Sequence, residues 1–233
     1  MDTLLEGLRQ AIWLLVHLDA TVVEITLRTL QVSGVATLAA LVVGVPLGTY
    51  LAQARFPGRR LLVSLVNTGM GLPPVVVGLF VALMLWRSGP FGQLGLIYTP
   101  AAMVIAQAII ATPIITGVSI AAIQQLDPRL RLQLLGLGAS RGQVALIMWW
   151  EARRSLLVAA MAGFGGAISE VGASIMVGGN IAGQTRVLTT AAVLEMSKGN
   201  FDRAMALGLI LLFLSFSITL GATWLQQSER DKR

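Results

Sequence analysis

Residues 126–157 read LDPRLRLQLLGLGASRGQVALIMWWEARRSLL and separate two long apolar segments. The apolar residues have helical spacing on both sides of a central Leu137-Gly138-Ala139-Ser140-Arg141 turn. Internal loops rich in Lys and Arg stay on the cytoplasmic side of a membrane protein. The stretch therefore predicts a cytoplasmic helix–turn–helix docking loop over residues 124–155, with five arginines: Arg129, Arg131, Arg141, Arg153 and Arg154.

The composition is that of a bundle of membrane helices. Of the 233 residues, 55% are hydrophobic and 12% are charged, and the mean hydropathy is +0.78. Such a balance is typical of a chain that folds in lipid. The net charge of +6 comes from bases in short loops, which argues against a nucleic-acid surface. We expect an all-α integral membrane protein with one domain over residues 1–233.

Apolar runs predict five membrane spans. A span needs about 20 apolar residues to cross the hydrocarbon core, and five segments qualify: 27–51, 61–86, 100–123, 155–177 and 204–225. Residues 4–18 also show helical spacing, but they carry charges among the apolar positions. This pattern predicts a peripheral helix within residues 1–26 that lies in the membrane interface.

Basic residues in the loops predict the orientation. With the N-terminus outside, the internal segments hold eleven Lys and Arg residues and the external segments hold six. Because cytoplasmic loops carry the excess of Lys and Arg, we expect the C-terminus in the cytoplasm. The internal set comprises Arg55, Arg59, Arg60, the five loop arginines, Arg230, Lys232 and Arg233; the external set comprises Arg9, Arg28, Arg87, Arg186, Lys198 and Arg203.

Proline interrupts three of the predicted spans, at Pro46, at Pro73-Pro74 and at Pro113. Proline removes a backbone hydrogen bond and kinks a helix. Kinked, glycine-rich spans suit a pathway or gate. The alternative is that membrane helices tolerate more Pro and Gly than soluble helices do.

Glu170 lies inside the fourth predicted span, among small residues. A carboxylate within the membrane is costly and must face a partner or water. One interpretation places Glu170 beside a pathway or in a conformational switch. The other is a structural hydrogen bond to a neighbouring helix. Small residues lie at helical offsets from it: Gly163, Gly166, Ala167, Ala173 and Ser174.

The external loop, residues 178–203, contains a further helical pattern. Val187, Leu188, Ala191 and Leu194 could form one apolar face. Such a face predicts either a re-entrant or interfacial helix that contacts an external partner, or a short helix that caps the bundle.

The side chains that enzymes use are scarce. The chain has one histidine and no cysteine, and it has neither a cluster of carboxylates with metal spacing nor a phosphate-binding P-loop. We therefore expect a transport protein rather than an enzyme, with no metal and no cofactor of its own. Any energy for transport would come from an ion gradient or from a partner ATPase.

The docking loop resembles the coupling loop of ABC-importer permeases. That pattern is E-A-A, three residues, G, nine residues and I-x-L-P; Gly138 matches its glycine, within an L-G-A-S form common in the family. The ISEVGAS stretch at 168–174 and the GGNI stretch at 178–181 look like the tungstate-type branch of the oxyanion importers. Related molybdate and sulfate permeases carry a similar G-E-F-G-A-T stretch. The resemblance covers the whole chain and implies a type I-like ABC-importer permease fold.

The loop departs from the family pattern at two places. Leu132-Gln133-Leu134 stands at the E-A-A positions, and Met148, Trp150 and Glu151 stand at the I-x-L-P positions. The usual glutamate contact with the ATPase is therefore absent. We expect apolar packing and the arginines to replace it, and we expect Gly138→Asp to crowd the turn and uncouple the complex.

The resemblance implies an assembly and a set of sites. A homodimer of this chain would carry two cytoplasmic ABC ATPase subunits, which bind ATP and magnesium, and one extracytoplasmic solute-binding protein. The implied substrate is tungstate, with molybdate or sulfate second; a secondary transporter driven by an ion gradient through Glu170 is the other class considered. The predicted coupling residues are Arg129, Arg131, Leu137, Gly138, Ala139, Ser140 and Arg141, and the candidate pathway or gate residues are Ser169, Glu170, Ser174 and Asn180.

Overall fold

The computed structural model describes residues 19–228, together with Arg9, Trp13 and His17. Most of the predicted peripheral helix, and the basic residues at 230–233, lie outside the described residues. Every regular secondary-structure element in the described ranges is a helix. The helices are α1 Ala20–Gln53, α2 Arg59–Met70, α3 Pro74–Leu85, α4 Pro100–Gln124, α5 Pro128–Gly136, α6 Arg141–Glu151, α7 Arg153–Ile168, α8 Gly172–Gly178, α9 Leu188–Ser197 and α10 Phe201–Ser228, with a short 3-10 helix at Gly92–Leu94.

Three of these helices are long and apolar enough to cross a membrane alone: α1, α4 and α10. Two bent helix pairs are also apolar and long enough in combination to form a broken span or a re-entrant loop. Helices α2 and α3 meet at 101°, and α7 and α8 meet at 61°. The predicted total of five spans therefore holds when each bent pair is counted as one span. The first span also starts earlier than predicted, because residues 20–26 continue into α1 instead of belonging to a peripheral helix.

Proline breaks one span and is accommodated within two others. Pro73 and Pro74 follow the end of α2, and Pro74 is the first residue of α3. This arrangement is expected because proline suits the first turn of a helix and disfavours helix in the residue before it. Helices α1 and α4 instead continue through Pro46 and Pro113.

Helices α1 and α4 pack closely through small residues. A Cβ added to Gly48 would lie 2.7 Å from the Ser119 Cβ and 2.8 Å from the Thr116 backbone oxygen. A Cβ added to Gly44 would lie 2.9 Å from Ile115 Cγ2. In lipid, close backbone approach through small residues is a main source of helix association. Helix α4 also contacts α2, α3, α7 and α8, which places it at the centre of the bundle.

The apolar side of α9 faces the bundle. Leu188 and Ala191 are buried with Val22 and Ile25 of α1 and with Leu207 of α10. The backbone N–H of Leu188 also donates to the Thr29 hydroxyl at 2.9 Å. The structure thus favours the bundle-capping interpretation of the external loop over an exposed apolar face.

Candidate functional site: a helix–turn–helix loop and a broken span

The L-G-A-S turn combines a local signal that ends α5 with a local signal that starts α6. Gly138 has φ +85°, and its N–H donates to Leu135 O at 3.0 Å while the Ala139 N–H donates to Leu134 O at 3.0 Å. These two bonds form a Schellman motif, which ends α5 at a left-handed glycine. The motif satisfies carbonyls that a helix end otherwise leaves unpaired.

Helix α6 starts immediately after that motif. The Ser140 hydroxyl accepts from the Gln143 N–H at 3.4 Å, and the Gln143 side chain accepts from the Ser140 N–H at 2.8 Å. This reciprocal pair is a capping box. The predicted helix–glycine turn–helix arrangement is therefore present, and the residues between the two helices set the angle of the turn.

Apolar and basic side chains share the outer surface of the loop. Leu137, at the tip, is 84% exposed, and Trp150 is 68% exposed. Arg129, Arg131 and Arg141 are also exposed. Several exposed large apolar side chains together with exposed charges on one loop are typical of a protein contact surface. Further large apolar side chains on this loop are exposed as well: Leu132, Leu135, Leu146 and Ile147.

The opposite side of the loop is anchored to the membrane helices. Val144 and Met148 of α6 are buried against Ile123, near the end of α4. The Trp149 indole N–H donates to the Thr49 hydroxyl of α1 at 2.7 Å. A displacement of α6 must therefore act on α1 and α4, since closely packed interiors transmit strain.

The positions that depart from the E-A-A and I-x-L-P pattern fall on both sides of the loop. Leu132 is 66% exposed and Met148 is 4% exposed. The Arg153 guanidinium carbon lies 4.4 Å from the Trp150 ring centroid, a cation–π contact that orients this exposed tryptophan. The outward surface at these positions therefore combines the apolar Leu132 and the aromatic Trp150 with the polar Gln133 and the charged Glu151.

The space around Gly138 does not by itself require a glycine. A Cβ added there would have no described atom within 4 Å, apart from its chain neighbours. The demand for glycine comes from the positive φ, which L-residues adopt only with strain.

Glu170 lies at the break between α7 and α8. Its Oε1 accepts the Ala173 N–H at 2.8 Å, and its backbone oxygen accepts from the Thr189 hydroxyl at 3.2 Å. The side chain therefore caps the start of α8, and the side chain is buried, at 8% exposure. The prediction that Glu170 sits on one continuous helical face with Gly163 and Ala173 is wrong, because the 61° bend places these on two helices.

The other three candidate pathway residues occupy different environments. Ser169 is exposed at the same break, and its hydroxyl donates to Gly165 O at 2.8 Å. Ser174 is fully buried and accepts from Gln107 Nε2 of α4 at 3.2 Å. Asn180 lies beyond α8. Ser169 and Glu170 thus lie at the break, whereas Ser174 lies in α8 and Asn180 follows its end.

Asn180 organises the loop that follows α8. It has φ +53°, and its Nδ2 donates to Thr190 O at 3.2 Å while its Oδ1 accepts from Arg186 Nε at 3.2 Å. Thr185, also buried, donates from its hydroxyl to Gly178 O. These bonds tie the end of the broken span to α9.

A charged cluster closes the other end of α9. Glu195 accepts from Asn200 Nδ2 at 2.8 Å and from Lys198 Nζ at 2.9 Å. The Asn200 hydrogen bond and then the Lys198 contact lower the pKa of Glu195 below its ordinary value. These contacts link the end of α9 to the turn that follows it.

Sequence reasoning missed Gln107, Trp149 and Thr49 as site residues. Gln107 was detectable as a polar residue inside an apolar span; its Oε1 is buried without a hydrogen-bond partner among the described residues. Such an unpaired atom is costly in lipid. No local sequence pattern predicts the hydrogen bond between Trp149 and Thr49, because the two residues are 100 positions apart.

Within the described residues, no group of His, Cys, Asp or Glu side chains could hold a metal ion. The arrangement offers polar contacts and a mechanical connection between helices. An exposed helix–turn–helix surface rests on α1 and α4, and α4 in turn contacts the broken span through Gln107 and Ser174.

Comparison with known proteins gives this arrangement a family. A probable anion ABC transporter permease protein of Haloferax volcanii is 41% identical over 206 residues, which cover 86% of this chain and 89% of that protein. A tungstate uptake system permease protein of Peptoclostridium acidaminophilum is 39% identical over 94% of this chain and 96% of its own length. A chain of the inward-facing MetNI methionine ABC transporter shares the fold, with a TM-score of 0.70 at 20% identity over 93% of this chain and 96% of that chain. Residues 44–231 match the family of binding-protein-dependent transport system inner membrane components, and the chain belongs to that family as a multi-pass membrane permease.

Proposed function

We propose that the chain is the permease subunit of an ATP-driven importer for a tetrahedral oxyanion, with tungstate as its substrate. The similarity to a tungstate uptake permease over 94% of the chain supports this substrate. Membership of a binding-protein-dependent family argues against a secondary transporter driven by an ion gradient. Molybdate and sulfate are the competing oxyanions, and a competition assay separates them.

The proposed mechanism rests on the exposed surface of the coupling loop, with Leu137 at its tip. A separate cytoplasmic ATPase, which binds ATP and magnesium, would dock there through Leu137 at the tip and the arginines at its rim. Gly138, with its left-handed backbone, and Ser140, which caps the start of α6, hold this exposed surface at a defined angle. The coupling residues are Arg129, Arg131, Leu137, Gly138, Ala139, Ser140 and Arg141.

Nucleotide-driven movement of the ATPase would reach the pathway in two steps. Helix α6 first displaces α1 and α4 through the Trp149–Thr49 bond and the buried Val144 and Met148. Helix α4 then displaces α8 through the bond between Gln107 and Ser174. A span that is already broken offers a hinge at which such movement opens a gate.

The gate itself lies at the break in this proposal. Ser169 is exposed there and has a hydroxyl, Ser174 lies one turn into α8, and Asn180 follows the end of that helix. Glu170 holds the break in shape through its cap to Ala173. A bare carboxylate would repel an oxyanion, so its role is structural in this mechanism.

The proposed assembly contains two copies of this chain, an ATPase dimer and one extracytoplasmic solute-binding protein. A two-fold pair is the commonest symmetry of small oligomers, and five spans are too few to enclose a polar pathway alone. The excess of basic residues on one side of the membrane supports an external N-terminus and a cytoplasmic C-terminus.

Two measurements test the proposal. Affinity purification of the tagged chain from its native membrane should recover an ATPase, and the Arg129→Glu/Arg131→Glu variant should recover less. An Arg87→Glu variant, which carries its charge change in the loop before α4, should recover the wild-type amount. Recovery of no ATPase with the wild type would refute the docking role.

Uptake by the complete importer in proteoliposomes tests the substrate. Tungstate taken up should exceed molybdate and sulfate at equal concentration, measured by elemental mass spectrometry. ATP-dependent uptake of sulfate or molybdate that tungstate does not inhibit would overturn the choice of tungstate.

A further inference from the structure

A cleft of about 1240 Å³ lies between the ends of α1 and α4 and the coupling loop. It is larger than the roughly 300–1,000 Å³ of most small-molecule pockets. Its position matters because it spans the boundary at which the apolar helices end and the charged loops begin. An occupant must therefore meet both kinds of surface.

Much of the cleft lining is apolar. Pro46, Ile123 and Met148 contribute to it, and all three belong to helices or helix ends that pack in the bundle. Tyr50 and Trp149 also line it. Aromatic side chains of this kind are enriched at the level of lipid headgroups, where one end of the ring is apolar and the other is wet.

The lining also contains basic side chains. Arg55, Arg131 and Arg141 line the cleft, and none of the three has an ion pair among the described residues. Arg131 is positioned by its Nε, which donates to Gln53 Oε1 at 3.0 Å. The terminal nitrogens of that guanidinium have no partner among the described residues. Arg131 and Arg141 are also coupling residues in the proposed function, so a phosphate group in the cleft would compete with the ATPase for them.

The one acidic residue in the cleft offsets these arginines only in part. Asp127 lines the cleft, but its Oδ1 is engaged as the cap of α5, accepting the Arg129 N–H at 2.8 Å. Three arginines against one capping carboxylate leave the lining positive. The combination of positive and apolar side chains in the lining fits an amphiphilic anion.

We propose that this cleft binds the phosphate headgroup of an anionic phospholipid, with part of an acyl chain against the apolar side chains. Basic pockets between membrane helices at a cytoplasmic surface bind such headgroups. A lipid held there would contact α1, α4, α5 and α6 together. It would link the position of the coupling loop to the anionic lipid content of the membrane, whichever oxyanion is transported.

Lipid titration of the purified, delipidated full chain in detergent tests this site. Dioleoyl-phosphatidylglycerol should raise the Tm, and native mass spectrometry should show it retained, at concentrations where dioleoyl-phosphatidylcholine has no effect. An Arg131→Gln/Arg141→Gln variant should bind phosphatidylglycerol about tenfold or more weakly, because charge-assisted bonds to phosphate are lost. These side chains are exposed, so the fold should persist, and an Arg131→Lys/Arg141→Lys variant should keep most of the affinity.

Arg129→Gln is the matched control. Arg129 is exposed on the same helix, two positions from Arg131, but it does not line the cleft. Its loss should leave lipid affinity unchanged. Equal losses from Arg129→Gln and Arg131→Gln would indicate diffuse charge attraction and overturn the site, as would equal binding of the two lipids. Equal protection by inorganic phosphate alone would assign the cleft to a soluble anion and overturn the lipid proposal.

Discussion

Replacement of Gly138 by alanine should weaken coupling through backbone strain alone. Gly138 has φ +85°, and the added methyl group would have no described atom within 4 Å apart from its chain neighbours. The left-handed conformation costs an L-residue about 1–2 kcal/mol. The population of the Schellman turn should therefore fall by a factor of about 5 to 30 relative to other turn conformations.

Gly136 provides a matched control on the same loop. A Cβ added to it would likewise have no described atom within 4 Å beyond its chain neighbours, and it is the last residue of α5, outside the left-handed region. Alanine there should leave the helix at least as stable, because alanine has the higher helix propensity. The two glycines thus receive the same methyl group and should respond differently.

The assay is the affinity of the purified variants for the ATPase subunit, with ATP-dependent uptake measured in parallel. Gly138→Ala should bind about 5- to 30-fold more weakly, and Gly136→Ala should bind at least as well as the wild type. Gly138→Asn should lie between alanine and glycine, because asparagine tolerates the left-handed region. Unchanged affinity of Gly138→Ala, or equal losses at both positions, would refute the reasoning from backbone conformation.

Three further predictions concern the membrane helices. Gly48→Ala should lower the free energy of unfolding by about 1–3 kcal/mol, because the added methyl group overpacks against α4. Gly34→Ala in the same helix should not, since a Cβ there meets none of the described atoms within 4 Å beyond its chain neighbours. Thermal unfolding in detergent compares the two variants, and equal Tm values would contradict the packing argument. Glu170→Gln should retain uptake because an amide oxygen can still cap α8, while Glu170→Ala should lose about 1–3 kcal/mol of stability; loss of uptake in a stable Glu170→Gln protein would instead point to the charge. Trp149→Phe should keep ATPase binding but reduce uptake, because its bond to Thr49 is lost; unchanged uptake would remove that bond from the transmission path.

Much of the coupling loop was predictable because its determinants are local. A glycine after a helical pattern predicts a C-terminal stop, and a serine followed three residues later by glutamine predicts a helix start. Gly138, Ser140 and Gln143 satisfy both signals within six positions. The break at Pro73-Pro74 follows equally from the covalent geometry of proline.

The broken fourth span was not predictable in the same way. Residues 155–177 have the length and hydropathy of one continuous helix, and proline is absent from them. The bend at Ser169–Val171 is accompanied by the cap from Glu170 to Ala173 and by the Thr189 hydroxyl of α9. A sequence pattern within one span cannot predict the contact with Thr189, because that residue belongs to another helix.

The sequence by itself determined that this chain folds in lipid, where its spans lie and how its coupling turn is capped, because hydropathy, proline and capping act within a few residues. Only the tertiary structure decided which residues of the proposed transmission path meet and which line the basic cleft. The Trp149–Thr49 and Gln107–Ser174 pairs join residues 100 and 67 positions apart. Such contacts depend on how α1, α4, α6 and α8 pack against one another, and that packing is set by the close fit of small residues such as Gly48 across the whole bundle.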